Sequence, residues 1–314
     1  MIHLSPRKVR ETVTKYAIGV DVGATKVAIA TVSSDFRVLR KHEVSTQAAS
    51  GELLWNSIKE VASSFINESP GELLGIGIGS AAPLDVRTGC LSPVNIPIWR
   101  DFPIVPLFKE LSKGTDVILH GDALALAHAE NKLGAGKGFK NMLGMVVSTG
   151  VGGGLIIDGK IFTGDSGNSF FIGHHSINFE GRLCACGRRG CLEAYSSGPQ
   201  MVSIATENGW SSTGTSFIDL AQSARDGDAI AIDAISQGTL ALARGIVNML
   251  GSLDINHVVI GGGVVQSGDI FWKPLEKHMK SESKAISFLK DVQLHKAELE
   301  RDAGVLGAAL AILG

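Results

Sequence analysis

Residues 173–197 read GHHSINFEGRLCACGRRGCLEAYSS and hold three of the chain's four cysteines within eight positions. Chance is a poor explanation for such clustering, and one histidine with three cysteines at these spacings is typical of a tetrahedral zinc site. The sequence therefore predicts a zinc ion bound by His174, Cys184, Cys186 and Cys191. Because four protein ligands leave no open position for water, we expect this zinc to be structural.

The composition indicates a globular protein of two domains. A chain of 314 residues is longer than one hydrophobic core usually accommodates, and 44% of its residues are hydrophobic and 19% charged. A net charge of -2 gives no electrostatic reason to expect a nucleic acid or an anionic membrane as partner. The chain start lacks the apolar core of a secretory signal, and we expect no membrane-spanning segment. Cys90 has no evident partner and the other cysteines resemble metal thiolates, which favours a reducing cytoplasm.

Alternating apolar and polar residues in 16–44 predict three short strands joined by tight turns. The first turn places an acid, a glycine and two donors close together. Its backbone N–H groups and hydroxyl can hold a phosphate, while its carboxylate holds Mg²⁺ directly or through water. An ordinary hairpin turn is the alternative. The candidate nucleotide-binding residues of this turn are Asp21, Gly23, Ala24, Thr25 and Lys26.

The same pattern returns about half a chain later. Residues 145–161 read MVVSTGVGGGLIIDGKI, again a strand, a glycine-rich turn and a strand. Two such hairpins suggest two related α/β halves that face each other across a cleft and grip a nucleotide from both sides. The candidate residues of the second turn are Thr149, Gly150, Gly152 and Gly153.

Three other segments supply candidates for the same cleft. A predicted strand at 116–120 runs into a helix that begins near Asp122. An aspartate there most often caps the helix, and the alternative is a general base for a substrate hydroxyl. The glycine triplet 261–263 would let a nucleotide base or ribose approach the backbone, although a tight turn explains it equally well. Asn95 lies in a proline-punctuated loop that suits a cleft wall or a plain connection.

The C-terminal half is predicted to be largely helical. Apolar spacing indicates helices in 216–224 and 228–250. The chain closes with DAGVLGAALAIL, a helix of small residues that we expect to pack on the N-terminal sheet.

From about Tyr16 to its end, the chain resembles the ROK family of repressors, open reading frames and sugar kinases, in particular its glucokinases. The resemblance rests on DVGATK (21–26), TGVGGG (149–154), the glycine triplet and the run H-x9-C-x-C-x4-C-L-E (174–193). It implies an α/β fold of the two-domain, actin-like (ribonuclease-H-like) ATPase type with an interdomain cleft and a zinc-binding loop. The implied limits are a lead of 1–15, an N-terminal domain of 16–120 completed by a helix at about 300–314, and a C-terminal domain of 121–299 with the zinc loop at 174–191.

The resemblance also implies ATP-dependent phosphorylation of a sugar hydroxyl, with Asp122 as general base and Mg²⁺ near Asp21. The two turns would contact the phosphates, and Gly261, Gly262 and Gly263 would lie beside the adenosine. His174 and Glu193 fall on positions that contact sugar hydroxyls, so the zinc loop would orient both side chains. The remaining implied acceptor-site positions are Asn95, Gly121, Asp122 and Phe171. Since dimers are common in the family, the resemblance implies a homodimer.

Three acceptor-site positions depart from the family pattern. The Asn that usually precedes the catalytic Asp is Gly121, the Asn two residues after it is Leu124, and the Glu of Gly-Glu-x-Gly-His is Phe171. A phenyl ring removes hydrogen bonds to vicinal hydroxyls, and each polar group left unpaired in a closed site costs about 1–3 kcal/mol. The sequence therefore does not select one acceptor among hexoses, hexosamines and related polyols.

Two alternatives to a kinase follow from these departures. One is a kinase-derived protein that binds a sugar or regulates without turnover, and the other is a ROK-type regulator that lacks its DNA-binding domain. Only some fifteen residues precede the first predicted strand, too few for a helix-turn-helix domain. Together with Asp122, this favours the kinase.

Overall fold

The computed structural model describes residues 14–69, 71–81, 83–94, 96–212 and 214–314. The elements of the first half are β1 (Lys15–Val22), β2 (Lys26–Ser33), β3 (Val38–Ser45), α1 (Gly51–Glu68), β4 (Glu72–Ser80), β5 (Leu84–Asp85), β6 (Cys90–Leu91), α2 (Ile104–Leu111) and β7 (Asp116–Gly121). Five of these strands form a sheet of order β3-β2-β1-β4-β7. The predicted three-stranded meander is confirmed, and β4 and β7 continue the sheet in parallel to β1.

The second half repeats this sheet. Its elements are α3 (Asp122–Leu133), β8 (Met142–Val147), β9 (Val151–Ile157), β10 (Lys160–Ile161), α4 (Glu193–Ser196), α5 (Gly198–Glu207), α6 (Phe217–Arg225), α7 (Ala229–Leu253), β11 (His257–Gly261), α8 (Asp269–Ser283), β12 (Gln293–Lys296) and α9 (Ala303–Leu313). The strand order is β10-β9-β8-β11-β12, with the same senses of pairing as in the first sheet. This confirms the two related α/β halves, and α6 and α7 are the two predicted helices.

Glycines let the C-terminal helix lie directly on the first sheet. A Cβ atom on Gly19 would lie 2.0 Å from the Val305 carbonyl oxygen, and one on Gly77 would lie 1.7 Å from that of Ala308. The opposite face of the sheet is covered by apolar side chains of α1 and α2, among them the fully buried Ile58 and Phe108. The predicted packing of the C-terminal helix on the N-terminal sheet is therefore confirmed.

Helix α3 connects the halves and packs against both. Its residue Ala127 fills the space that a Cβ atom on Gly144 of β8 would occupy, at 2.4 Å. On its other side, Gly307 of α9 approaches the Ala125 carbonyl oxygen, which a Cβ atom would meet at 1.8 Å. Helices α3 and α9 thus form the layer between the two sheets, while the domain limits given above stay predictions.

A buried acid in α3 holds the chain that leads into α9. Glu130 is fully buried, and its Oε1 accepts hydrogen bonds from the N–H groups of Glu298 (3.0 Å) and Leu299 (2.9 Å). Its Oε2 accepts from the N–H groups of Ala135 (2.9 Å) and Glu298 (3.2 Å). Gly134 makes room for this carboxylate, since a Cβ atom there would lie 2.1 Å from Oε2.

One helix of the described residues has the length and composition of a membrane span. It is α7, whose apolar window has a mean hydropathy of 1.3. That window is 61% buried inside the protein, and residues such as Leu242 and Ile246 belong to the core of the second half. The burial pattern is that of a core helix.

Candidate active site and zinc centre

The two halves face each other across a cleft of about 470 Å³. Strands β1 and β7 are parallel members of one sheet, so Asp21 near the end of β1 and Asp122 just after β7 reach the same edge. The predicted site residues that line the cleft are Asp21, Gly23, Ala24, Thr25, Lys26, Gly121, Asp122, Thr149, Gly150, Gly152, Gly153, Phe171, His174, Glu193 and Gly262. Asn95 lies outside the described residues.

The three glycines at the end of β11 have different surroundings, and only Gly262 lines the cleft. Gly262 lines the cleft with φ of +107°, and a Cβ atom there would lie 2.3 Å from the Val147 carbonyl oxygen. Gly261 lies behind the lining, where a Cβ atom would meet Ala297 and Leu126 at 3.0 and 3.1 Å. Gly263 faces Ser148, whose Oγ would be 3.6 Å from its Cβ. Close packing therefore explains Gly261, and the positive φ of a turn explains Gly262, without any contribution from a ligand.

Two carboxylates with raised pKa values share the cleft. Burial, followed by repulsion from Asp122, raises the pKa of Asp21 to about 7, and Lys41 and Lys26 oppose the shift. Burial also raises the pKa of Asp122, while the N–H of Ala123, which donates to its Oδ1 at 2.7 Å, opposes that shift. Both side chains remain partly exposed to the cleft. Burial and repulsion both disfavour two negative charges here. The site therefore favours the uptake of a proton or the binding of a cation beside these carboxylates.

Asp122 does not cap its helix. Gly121 occupies the N-cap position of α3, with φ of -64° and ψ of 143°, and Asp122 is the first helical residue. Gly152 and Gly153, predicted as residues of the second turn, lie in β9 directly after it. The carboxylate lies beside this start of β9, because a Cβ atom on Gly152 would be 4.0 Å from Asp122 Oδ1. The helix start thus places this carboxylate in the cleft that both predicted phosphate turns line, close to the second one.

The first turn is held in shape by residues after β3. Gly23 N–H donates to the Lys26 carbonyl at 3.0 Å and closes the turn. The hydroxyl of Thr46 donates to the Ala24 carbonyl at 2.7 Å, and its N–H donates to the Thr25 carbonyl at 3.1 Å. Lys26 pairs with Glu43 at 2.6 Å, so its ammonium would have to exchange this partner for a phosphate.

Glu193 connects the second turn to the zinc loop. Its Oε2 accepts a hydrogen bond from the Val151 N–H at 2.9 Å, and Gly150 leaves room for it, since a Cβ atom there would lie 2.7 Å away. Its Oε1 lies 4.0 Å from His174 Nε2. Glu193 and His174 therefore form a polar pair on the wall of the cleft, beside the turn that carries Thr149.

The four predicted zinc ligands fit a zinc ion. Their ligand atoms all lie within 4.8 Å of one another. Cys186 Sγ is 3.6 Å from Cys191 Sγ, and Cys184 Sγ is 3.5 Å from His174 Nδ1. A tetrahedron with Zn–S bonds of about 2.3 Å and a Zn–N bond of about 2.05 Å has S–S edges of roughly 3.8 Å and S–N edges of roughly 3.6 Å. The cluster thus matches a Cys3His zinc site, with His174 Nδ1 toward the metal and Nε2 toward Glu193.

A short hairpin supports this cluster. Isolated antiparallel bridges join Ser176 to Cys191 and Leu183 to Arg189, and Leu192 N–H donates to the His175 carbonyl at 2.9 Å. Since Cys184 and Cys191 are buried and Cys186 is exposed, the loop covers the metal position from one side.

Two aromatic residues, Phe170 and Phe171, form another part of the cleft wall. The ring of Phe171 is 41% exposed and lies 4.4 Å from the imidazole of His174, at an interplanar angle of 40°. Phe170 has a φ of +60°, which is rare for a bulky residue. The family pattern has glycine at this position, and the left-handed backbone is the physical reason for that preference.

Sequence reasoning missed three residues of structural weight: Asn168 on the cleft wall, the strained Phe170 and the buried Glu130. A signal existed for Phe170, because it replaces a family glycine and glycine often marks a positive φ. Asn168 lies in a polar loop and Glu130 in a helix, and neither setting distinguishes them from surface residues.

The duplicated sheet, the cleft with paired carboxylates and the adjoining Cys3His cluster define the class of protein: an α/β chain with the actin-like ATPase fold. The chain belongs to the ROK family, whose model matches residues 17–313.

Relatives and a solved structure agree with this assignment. A glucokinase of Halalkalibacterium halodurans is 33% identical over 312 residues, covering 93% of this chain and 93% of that protein. An N-acetylmannosamine kinase of Citrobacter koseri is 31% identical over 300 residues, covering 95% and 98%. The crystal structure of a ROK family glucokinase from Streptomyces griseus in complex with glucose and AMPPNP is 28% identical, with a TM-score of 0.80 and coverage of 95% and 99%.

Proposed function

We propose that this protein is an ATP-dependent kinase that phosphorylates a hydroxyl of a sugar or related polyol. The observation that carries the proposal is the position of Asp122, a carboxylate with a raised pKa that lines the same cleft as both glycine turns, His174 and Glu193. Membership of the ROK family, with a glucokinase and an N-acetylmannosamine kinase among its relatives, supports the same activity.

The proposed chemistry is in-line phosphoryl transfer, in which positioning and electrostatics supply most of the catalysis. ATP is the phosphoryl donor, and Asp21 would hold Mg²⁺, which would supply charge neutralisation on the phosphates. The turn 23–26 and Thr149 with its neighbouring glycines hold the phosphates from opposite halves. Asp122 accepts the proton of the attacking hydroxyl, and closure of the two halves excludes water from that step.

The zinc has a positioning role in this scheme. With Nδ1 on the metal, His174 presents Nε2 to an acceptor oxygen in a fixed tautomer. Glu193 lies two residues after Cys191 and is held by the Val151 N–H, so it offers its second oxygen to the same region. Four protein ligands complete the site, and we assign the metal no direct chemistry.

The acceptor wall favours a ligand that differs from glucose where Phe171 replaces a carboxylate. Hexosamines and polyols with an apolar edge at that position match the ring better than vicinal hydroxyls do. The same replacement favours a second candidate function, a sugar-binding protein without turnover. We also propose a cytoplasmic homodimer, on the strength of the family resemblance.

The decisive assay is ADP release with a panel of hexoses, N-acyl hexosamines and cyclic polyols. With the best acceptor, Asp122→Asn is expected to lower kcat by about 10²–10⁴-fold, because an amide cannot take the hydroxyl proton. Stabilisation of the fold by ATP should be unchanged. The matched control is Asp158→Asn, an exposed turn residue with φ of +51° that asparagine tolerates.

The two candidate functions give different results in this assay. Unchanged turnover in Asp122→Asn would contradict the general-base assignment. A rise in melting temperature with a sugar, without ADP release from any acceptor, would favour the binding protein over the kinase.

A further inference from the structure

A second contact between the two halves lies beside the aromatic acceptor wall. It joins Leu84 in β5, from the first half, to Asn168 in the loop after β10, from the second half. The Leu84 N–H donates to Asn168 Oδ1 at 3.0 Å, and Asn168 Nδ2 donates to the Leu84 carbonyl at 2.6 Å. One carboxamide thus satisfies both backbone groups of one residue, as a neighbouring strand would. We refer to this pair as the Leu84–Asn168 clasp.

The backbone around the clasp is fitted to the contact. Val86 N–H donates to the Ser166 carbonyl at 3.4 Å, which extends the pairing by one step. Gly167 has φ of +84°, and a Cβ atom there would lie 2.4 Å from Val86 Cγ1 and 2.9 Å from Leu84 Cδ1. A side chain at this position would therefore push the two halves apart.

Both ends of the clasp are anchored in a core. Leu84 is 5% exposed and packs in the core of the first half. Four residues after Asn168, Ile172 is fully buried in the core of the second half. Along the chain, Phe171 lies between Asn168 and Ile172, so the clasp on one side and the core on the other hold the backbone that carries its ring.

We propose that Asn168 is a positioning residue that holds the cleft closed at its acceptor end and places the ring of Phe171 against the acceptor. The inference rests on the proposed sugar-kinase function. Asn168 acts through Leu84 and Phe171, while Asp122 keeps the chemistry. If the acceptor binds only the closed form, its apparent dissociation constant equals the intrinsic one divided by the closed fraction, so loss of the clasp weakens acceptor binding.

The first test compares Asn168→Ala with Asn141→Ala. Asn141 is an exposed asparagine whose Oδ1 accepts a hydrogen bond from a backbone N–H, that of Asp158, at 2.9 Å. Loss of two hydrogen bonds is expected to raise the acceptor KM of Asn168→Ala by about 10- to 100-fold. The ATP KM and the kcat at saturating acceptor should stay within about threefold, because saturating acceptor restores closure. The control should stay within about twofold in every parameter.

The second test needs no turnover. Hydrogen exchange at the amides of Leu84 and Val86 is expected to be about tenfold faster in Asn168→Ala than in the wild type. Gly167→Ala should speed the same amides and raise the acceptor KM, since its methyl group separates the strands without removing the carboxamide.

Each result decides a different point. Unchanged exchange at Leu84 overturns the clasp, and faster exchange with an unchanged acceptor KM overturns the positioning role. A rise in acceptor KM in Asn141→Ala as large as in Asn168→Ala also overturns it. If the wild type phosphorylates no acceptor, the proposed function fails, and the exchange data with acceptor-dependent thermal stabilisation still decide the clasp.

Discussion

Replacing Glu130 by glutamine should destabilise the protein without changing the shape of the side chain. The Glu130 carboxylate is fully buried in α3 and accepts hydrogen bonds from three backbone N–H groups. Two of these groups, at Glu298 and Leu299, belong to the segment that leads into α9. An amide keeps one acceptor oxygen and presents an NH₂ group in place of the other.

The size of the loss in unfolding free energy depends on which carboxylate oxygen the NH₂ group replaces. If the amide oxygen takes the place of Oε1, the NH₂ group faces the Ala135 N–H, which then has no acceptor. If the amide is turned the other way, the Leu299 N–H loses its acceptor, and the Glu298 N–H keeps only its longer bond of 3.2 Å. A hydrogen bond to a charged group contributes about 1.5–3 kcal/mol, and a buried donor left unpaired costs about 1–3 kcal/mol. We expect Glu130→Gln to lower the free energy of unfolding by about 3 kcal/mol.

Urea denaturation followed by circular dichroism and tryptophan fluorescence measures this change. Glu60→Gln is the matched control, because Glu60 is exposed on α1 and the same substitution there should stay within about 0.5 kcal/mol. A loss in Glu130→Gln no larger than in this control would refute the role of the buried carboxylate.

Three other outcomes are expected. Burial lowers the pKa of His128 to about 4, so between about pH 6.5 and 4 the folded state binds fewer protons than the unfolded chain. The free energy of unfolding from urea denaturation should therefore fall by up to about 2 kcal/mol from pH 7 to pH 5, and His128→Gln should reduce this dependence on pH. Gly77→Ala should lose about 3 kcal/mol, because its methyl group meets the Ala308 carbonyl oxygen, whereas Gly251→Ala in α7, with 3.8 Å of room, should gain about 0.5–1 kcal/mol. Cys191→Ser should lose bound zinc in metal analysis and raise the acceptor KM more than the ATP KM.

Local sequence patterns carried the predictions of the hairpins and the zinc cluster. The ligands from His174 to Cys191 lie within one short loop, so their spacing alone limits the geometry. The turns at 23–26 and 148–150 are likewise closed by neighbouring residues. A repeated strand pattern was enough to predict two matching halves.

The contacts that sequence reasoning missed join residues far apart in the chain. Glu130 binds N–H groups 168 and 169 positions away, and Asn168 pairs with a residue 84 positions away. No spacing rule reaches across such distances, because the tertiary fold, and not the local chain geometry, brings the partners together. The N-cap interpretation of Asp122 failed for a local reason, since Gly121 supplies the extended residue that precedes the helix.

The divided contacts of Glu193 have a thermodynamic consequence. One oxygen accepts from the Val151 N–H at the start of β9, next to the predicted phosphate turn, and the other faces His174, a predicted zinc ligand. Coupling between two sites is reciprocal, so whatever factor zinc adds to nucleotide affinity, the nucleotide adds to zinc affinity. A titration of zinc loss with and without nucleotide would measure that factor.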